Sequence, residues 1–512
     1  MRHIDSRIYA ALLSLLASVW CVSVDDVINN DGILYIRSAA ELSGGDWGAA
    51  FQLYNWPLYP WLISVVSQVF GCSLEGAAHW LDAICWAIAV VAFMTLVEFL
   101  GGTKKVVWLS GLVILCYSSL NDYRSSVIRD PGYLAFYLLG VLAFFKFCGQ
   151  PRWVYATAWG LSMLVATLFR IEGILFLILA PFSVLFIGGG SLLGRGKNWL
   201  RVNTVLLVLS AAALVLWCFG DHSPAFSVVE ESRLRELGTN LDLLGRRFTE
   251  TLPKKAELVA KDVLGPLSES YAPIVLALAI FIVFVVETVK TLTVLNGLLG
   301  FHALRSKLVF QGRKSRGVWL TFVSINLVFL LTTTVLKFSL TDRIGLAFSL
   351  TLMIAAPFSL AALHDRWRDQ RRAGEETATR RKWVFVAVCV WFAVSTVDGL
   401  VSFGPSKLYL REAGVWIRDN RSSDTRVFSN DQILDYYAGI ESQDPKTYSW
   451  ERTMRTLESG LWKDYDLLAV RVKRKQQEQA DAVLAILKRG PTKEFKDRRG
   501  GRVLVFETGR SE

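Results

Sequence analysis

Apolar runs close to the length of a membrane-crossing helix, most of them flanked by short clusters of Lys and Arg, recur from residue 8 to residue 402. A helix rises about 1.5 Å per residue, so roughly 20 apolar residues cross a hydrocarbon layer of about 30 Å. Eleven such spans are predicted, at 8–24, 78–100, 105–120, 131–148, 152–169, 171–188, 202–219, 271–290, 317–336, 343–362 and 383–402. The stretch 58–71 is too short to span, and Pro57 and Pro60 at its start mark it as a re-entrant or interfacial helix. Composition agrees: 53% of the 512 residues are apolar and 20% charged, with a mean hydropathy of +0.37. Disorder, a fibrous repeat and an ordinary cytosolic enzyme are thereby excluded.

The net charge of +11 raises the question of a nucleic-acid partner, and the location of the positive charge answers it. With the N-terminus inside, the inner segments hold 21 Lys and Arg, while the short outer loops hold only Arg37, Arg124, Arg129, Lys337 and Arg343. That asymmetry is the positive-inside pattern of a membrane protein. Eleven crossings then put the C-terminus outside, and no nucleic-acid patch remains.

The N-terminus reads as an uncleaved first span, because its apolar stretch has no small-residue cleavage site. The seven cysteines show no CxxC spacing, and none follows residue 389, so an outer domain stands without disulfides of its own. Residues 1–402 form the predicted membrane module, with outer loops at 25–57 and 220–270. In the second loop, Leu234, Leu237, Leu241, Leu244 and Phe248 recur at helical spacing. This fits an amphipathic helix lying on the membrane or packed on its own protein. Residues 403–512 change to a soluble mixture and predict a small α/β domain: helix at KLYLREAGVWIRDN, strands at TRVFSN and YDLLAVRV, helix at KQQEQADAVLAILKR, strand at GRVLVFET. The chain has no repeat, P-loop or GxGxxG, so an ATP-driven pump or a nucleotide-cofactor enzyme has no support.

The first outer loop gathers Asp25, Asp26, Asp31, Glu41 and Asp46 at the end of the first span, among Trp47, Tyr54, Trp56, Tyr59 and Trp61. Carboxylates there can serve as a general base, hold a metal or cap helices. Asp46, after Gly-Gly and before Trp47, reads as a turn or cap residue. The aromatics are interfacial anchors by default, with sugar stacking a second use. The lone histidines His79, His222, His302 and His364 form no metal cluster.

This loop resembles the first periplasmic loop of GT-C membrane glycosyltransferases, of the glycosyltransferase family 39 type that includes protein O-mannosyltransferase-like enzymes and the aminoarabinose transferase of lipid A. The residues that carry the resemblance are Asp31, Tyr35, Ala40, Glu41, Asp46, Trp47, Pro57, Phe70 and Gly71. It implies that Asp31 is the catalytic base, while Asp25 and Asp26 lie too early. Asp130 in SLNDYRSSVIRDP matches the second acidic residue, with Arg129 beside it. LFRIEGILF matches an Arg-x-Glu-Gly stretch at Arg170 and Glu172, and LTDRIG gives Arg343 for the donor phosphate. Aminoarabinose transferases carry Lys before the loop proline, where this chain has Asn55 and Trp56, so other cations must hold the phosphate here. Tyr35, Glu172, Trp56 and Tyr59 are the substrate-binding candidates. A divalent ion at Asp31 and Asp130 stays open, since some GT-C enzymes use one and others do not.

Physics points the same way. A donor anchored in lipid by its polyprenyl tail presents its phosphosugar only near the membrane surface, where outer loops meet span ends. Transfer needs a base within about 2.6–3.2 Å of the acceptor hydroxyl and cations beside the leaving phosphate. Arg170, Arg343 and Arg129 suit the second role through bidentate pairing, although each would also serve as a snorkelling side chain at a span end. Glu172 equally serves as a partner that lowers the cost of placing Arg170 near the bilayer.

The expectation is a bacterial inner-membrane glycosyltransferase, N-terminus cytoplasmic and C-terminal domain periplasmic, moving a hexosyl or pentosyl group with inversion. Its donor is a polyprenyl-phosphate sugar and its acceptor lipid A, another glycan, a glycolipid or a protein. The rivals are a flippase or transporter of lipid-linked sugars, disfavoured by the absence of a repeat, and an oligosaccharide ligase that shares the chemistry.

Overall fold

The computed structural model describes residues 5–188, 191–219, 233–373, 377–401, 404, 406–422, 424–440 and 448–508. Its contacts divide the chain into two compact units, Met1–Cys21 with Ser38–Val401, and Val22–Arg37 with Ser402–Glu512. The first is helical and the second is α/β.

In the helical unit, Ser6–Val24, Leu74–Phe99, Asp130–Gly149, Glu269–Leu292, Arg313–Lys337 and Lys382–Leu400 are long and apolar enough to cross a membrane. Asp342–Met353 and Ala356–Ala373 form a further apolar pair bent by 46°. Pro357 sits at the break, where a missing N–H and the ring's bulk interrupt the helical ladder. The other four predicted spans are helical but short or broken. The 105–120 span stops at Leu115, whose carbonyl accepts from Asn121 Nδ2 at 2.8 Å instead of continuing the helix. The 171–188 span is split by the 3₁₀ turn Ala180–Phe182 around Pro181. Trp153–Phe169 and Thr204–Phe219 have 17 and 16 residues.

The packing is that of helices brought close by small residues. A Cβ on Gly132 would lie 2.3 Å from the Phe169 ring, and one on Gly140 2.3 Å from the Met163 methyl, so Asp130–Gly149 and Trp153–Phe169 touch backbone to side chain. Phe144, Trp159, Phe176 and Phe322 interlock beside them, with Phe144 and Trp159 centroids 4.7 Å apart. Arg124 is buried and donates to the Ser14 carbonyl, Ser14 Oγ, Ser18 Oγ and Asn121 Oδ1, tying the first helix to the loop before Asp130. An outer-loop cation by sequence, it is a structural brace.

The expected first loop is largely helical, with Asn30–Ser43, Trp47–Leu53 and Leu58–Phe70. Asp46 caps Trp47–Leu53, accepting from Ala49 N at 2.8 Å. Gly71 ends Leu58–Phe70 at φ +63°, a left-handed position that favours glycine. In the second loop, Arg233–Arg246 is helical and runs through a π segment into Leu252–Asp262, while the side chains of Leu234, Leu237 and Leu241, like His222, lie outside the described residues.

The α/β unit is a four-stranded sheet. Its strands are β1 (Val427–Ser429), β2 (Leu467–Val472), β3 (Lys493–Lys496) and β4 (Arg502–Glu507), in the order β1-β2-β4-β3. β1 and β2 are parallel and the other pairs antiparallel, so β1 returns to β2 through the helices Gln432–Ala438 and Trp450–Glu458. Leu468, Val470, Val483, Leu504 and Phe506 form its core, with Gln477–Leu487 across the sheet. Residues 22–37 join this unit: Ile28 N donates to Tyr437 OH at 3.0 Å, Arg37 Nη2 to the Ile440 carbonyl at 2.8 Å, and Lys407 N to Asp26 Oδ2 at 2.9 Å.

Candidate active site

Three helix ends of the helical unit converge on one carboxylate. Asp130 opens Asp130–Gly149, Arg170 closes Trp153–Phe169, and Arg343 lies in the first turn of Asp342–Met353. Asp130 Oδ1 accepts from Arg170 Nη1, and Asp130 Oδ2 is 3.1 Å from Arg343 Nη2. Arg170 in turn holds Glu172 with both ends of its fork, Nη2 to Oε1 at 2.6 Å and Nε to Oε2 at 3.2 Å, and stacks over the Tyr133 ring at 5.6 Å. Asp130 is 1% and Arg170 7% exposed by side chain, whereas Arg343 is 26% exposed.

The cluster is thus graded. At its inner side, Asp130, Arg170 and Glu172 neutralise one another, which is how charges survive burial. At its outer side, Arg343 keeps about a quarter of its side chain exposed. A partly exposed guanidinium fork next to a compensated ion pair is suited to an incoming phosphate. Asp130 gives both oxygens to guanidinium groups, a setting that repels a divalent cation. No group of three or more His, Cys, Asp or Glu able to hold a metal occurs among the described residues.

Arg129, adjacent in sequence, is buried and donates through Nη1 to Tyr54 OH, with its guanidinium 5.9 Å from that ring's centroid. The loop carrying Arg129 and Asp130 is pinned by Asp82, a carboxylate inside Leu74–Phe99. Asp82 Oδ2 accepts from Ile128 N at 3.2 Å and from Tyr59 OH at 2.8 Å. Sequence reasoning missed Asp82, and the signal was available: an acidic residue within an apolar span needs a partner or a function.

Asp31 and Tyr35 belong to the other unit. Asp31 is half-buried in the first turn of Asn30–Ser43, and Tyr35, one turn on, is buried. Of the remaining expected substrate contacts, Trp56 donates Nε1 to the Thr167 carbonyl at 3.3 Å. Tyr59 is 1% exposed with its hydroxyl on Asp82. Glu172 is the counter-ion of Arg170. The structure therefore brings together Asp130, Arg170, Glu172 and Arg343 from distant sequence.

An apolar cavity of about 480 Å³ lies among Leu252, Pro273, Leu276, Ile280 and Leu331 of the helical unit. Arg247 and Lys255, next in sequence to the lining residues Phe248 and Ala256, each sit 4.9 Å from the Phe338 ring centroid. In the α/β unit, burial pushes the Asp435 carboxyl up to about 6, against the hydrogen bond from Tyr448 OH at 2.8 Å, which lowers it.

No protein-family model matches the chain, and no curated protein matches it in sequence. Among solved structures it is similar to the archaeal oligosaccharyltransferase AglB from Archaeoglobus fulgidus, described in complex with an inhibitory peptide and a dolichol-phosphate. The match has a TM-score of 0.56 at 12% identity and covers 94% of this chain and 71% of that one. At that identity the likeness is one of fold alone.

Proposed function

We propose that the protein is a membrane glycosyltransferase that takes a sugar from a polyprenyl-phosphate carrier and transfers it to an acceptor hydroxyl or amine outside the cytoplasm of a bacterial cell. The observation that carries this reading is the graded cluster of Asp130, Arg170, Glu172 and Arg343 at one end of the bundle, in a fold similar to that of an oligosaccharyltransferase described with a dolichol-phosphate. A transporter of lipid-linked sugars does not require such a compensated cluster with one partly exposed guanidinium. The apolar cavity, with the cations Arg247 and Lys255 next in sequence to its lining residues Phe248 and Ala256, supports a donor with a hydrocarbon tail and a charged head.

In this reading Asp31 takes the proton of the acceptor as its oxygen or nitrogen attacks the anomeric carbon. The bond from that carbon to the phosphate oxygen breaks, and the configuration inverts. Arg343 stabilises the charge gathering on the leaving phosphate. Asp130 and Arg170 hold Arg343 in orientation, and Arg129 adds positive potential nearby. Asp31→Asn is expected to leave the protein folded in membranes and to lower transfer from a polyprenyl-phosphosugar by about 10²–10⁴-fold. Near-full turnover of that variant in purified membranes would remove Asp31 from the mechanism. Sealed vesicles separate the rival, which would move labelled lipid-linked sugar across the bilayer with no new glycosidic product.

A further inference from the structure

At the carboxyl ends of the parallel strands β1 and β2, the α/β unit carries a cleft of about 320 Å³. That is the lower end of the range for small-ligand sites, roughly 300–1,000 Å³. Its floor is scaffold. Asn430 bridges to the Arg471 backbone through both amide atoms, at 2.7 and 3.2 Å, and Asp431 caps Gln432–Ala438 while pairing with Arg471. Its walls are different. Asn30, Gln432, Gln476 and Gln479 line the cleft, and no side-chain amide of theirs is engaged in a hydrogen bond among the described residues. Tyr448 and Trp450 add two half-buried rings.

We propose that this cleft binds the saccharide of a glycan acceptor. Each amide offers a donor and an acceptor side by side, which matches the paired donor and acceptor character of sugar hydroxyls. The aromatic rings offer apolar faces to the C–H side of a pyranose. An anionic head alone would want several free cations, but Arg471 is already paired with Asp431, leaving Lys473 as the open charge of the lining. A peptide would be read through an edge strand or apolar side-chain pockets, and a small cleft lined by amide residues provides neither. Asn30 directly precedes Asp31, so a sugar held here lies beside the helical turn that carries the proposed base. The word acceptor rests on the transferase reading, whereas binding of the saccharide does not.

The test uses the full chain in nanodiscs and, as probe, the oligosaccharides released by mild acid from the envelope glycans of cells that make the protein. Saturation-transfer NMR on the wild type is expected to show sugar C–H contacts, weakened about fivefold by Gln479→Ala and about 20-fold by Gln432→Ala with Gln479→Ala. Both positions are partly exposed, and an unchanged melting profile verifies folding. No contact in the wild type, equal contact in wild type and double variant, or displacement by a Ser/Thr-containing peptide at lower concentration than sugar would each overturn the proposal. Transfer is measured separately. If a glycan acceptor is used with the same KM by the double variant, the cleft fails while the transferase stands. If no transfer occurs but sugar contact is lost in the double variant, the cleft stands and the transferase reading fails.

Discussion

The two units each bury an Asp–Arg pair, and the pairs are used differently. In the α/β unit, Asp431 spends one oxygen on capping Gln432–Ala438 and the other on Arg471, whose backbone is itself held by Asn430. In the helical unit, Asp130 lies between two arginines from different helices, and one of them keeps a quarter of its side chain exposed. The first arrangement satisfies a turn. The second keeps a cation partly exposed at the end of a bundle, and a charge held there is where chemistry is expected.

The comparison breaks most readily at Asp130. Asp130→Asn leaves Arg170 and Arg343 short of a counter-ion, and removing one partner of a buried pair costs about 3–5 kcal/mol. The expected outcome is a markedly lower melting temperature in detergent together with loss of transfer. A variant that melts like the wild type would mean that the cluster is not held by Asp130.

In the α/β unit the sharper probe is pH. The Asp435 carboxyl keeps its proton up to about 6 when folded, against 3.8 for the unperturbed group. Between those values the folded state binds more protons than the unfolded one, so stability falls as pH rises through the window, by up to about 3 kcal/mol. Hydrogen exchange of Gln432–Ala438 in the full chain should therefore quicken from pH 4 to pH 7, after correction for intrinsic rates. Asp435→Asn should remove that dependence, and a dependence that survives would assign it to another group.

Arg343→Ala should produce the opposite profile to Asp130→Asn. Transfer is expected to fall about 100-fold, or about 2.7 kcal/mol in the barrier, with the melting temperature nearly unchanged because the side chain is partly exposed. Equal losses of transfer and stability would reduce Arg343 to a brace like Arg124.

Much of the site's chemistry was legible as residue types and little of it as geometry. Asp130, Arg170, Glu172 and Arg343 stand out in sequence as charges at the ends of apolar runs, yet nothing local says that they meet. Glu172 is legible as the partner of Arg170 because the two lie two residues apart on the chain. Asp82 was passed over because a single carboxylate hardly alters the hydropathy of its run, although it holds the loop that positions Arg129 and Asp130. Tyr59, an expected sugar contact, is buried on Asp82, since a phenol's role depends on which helix covers it.

The sequence by itself determined that the first 400 residues are built largely of apolar helices, that Asp46 caps a local element, and that the last 110 residues are of another kind. Run length, capping and alternation act between near neighbours, so they can be read without the fold. Only the tertiary structure decided that residues 22–37, with Asp31, pack with the C-terminal α/β unit, and that Asp130 lies between arginines from two other helices. Those outcomes depend on which helix ends become neighbours, and that is set by close packing at sites such as Gly132 against Phe169, where the absence of one methyl group admits a helix.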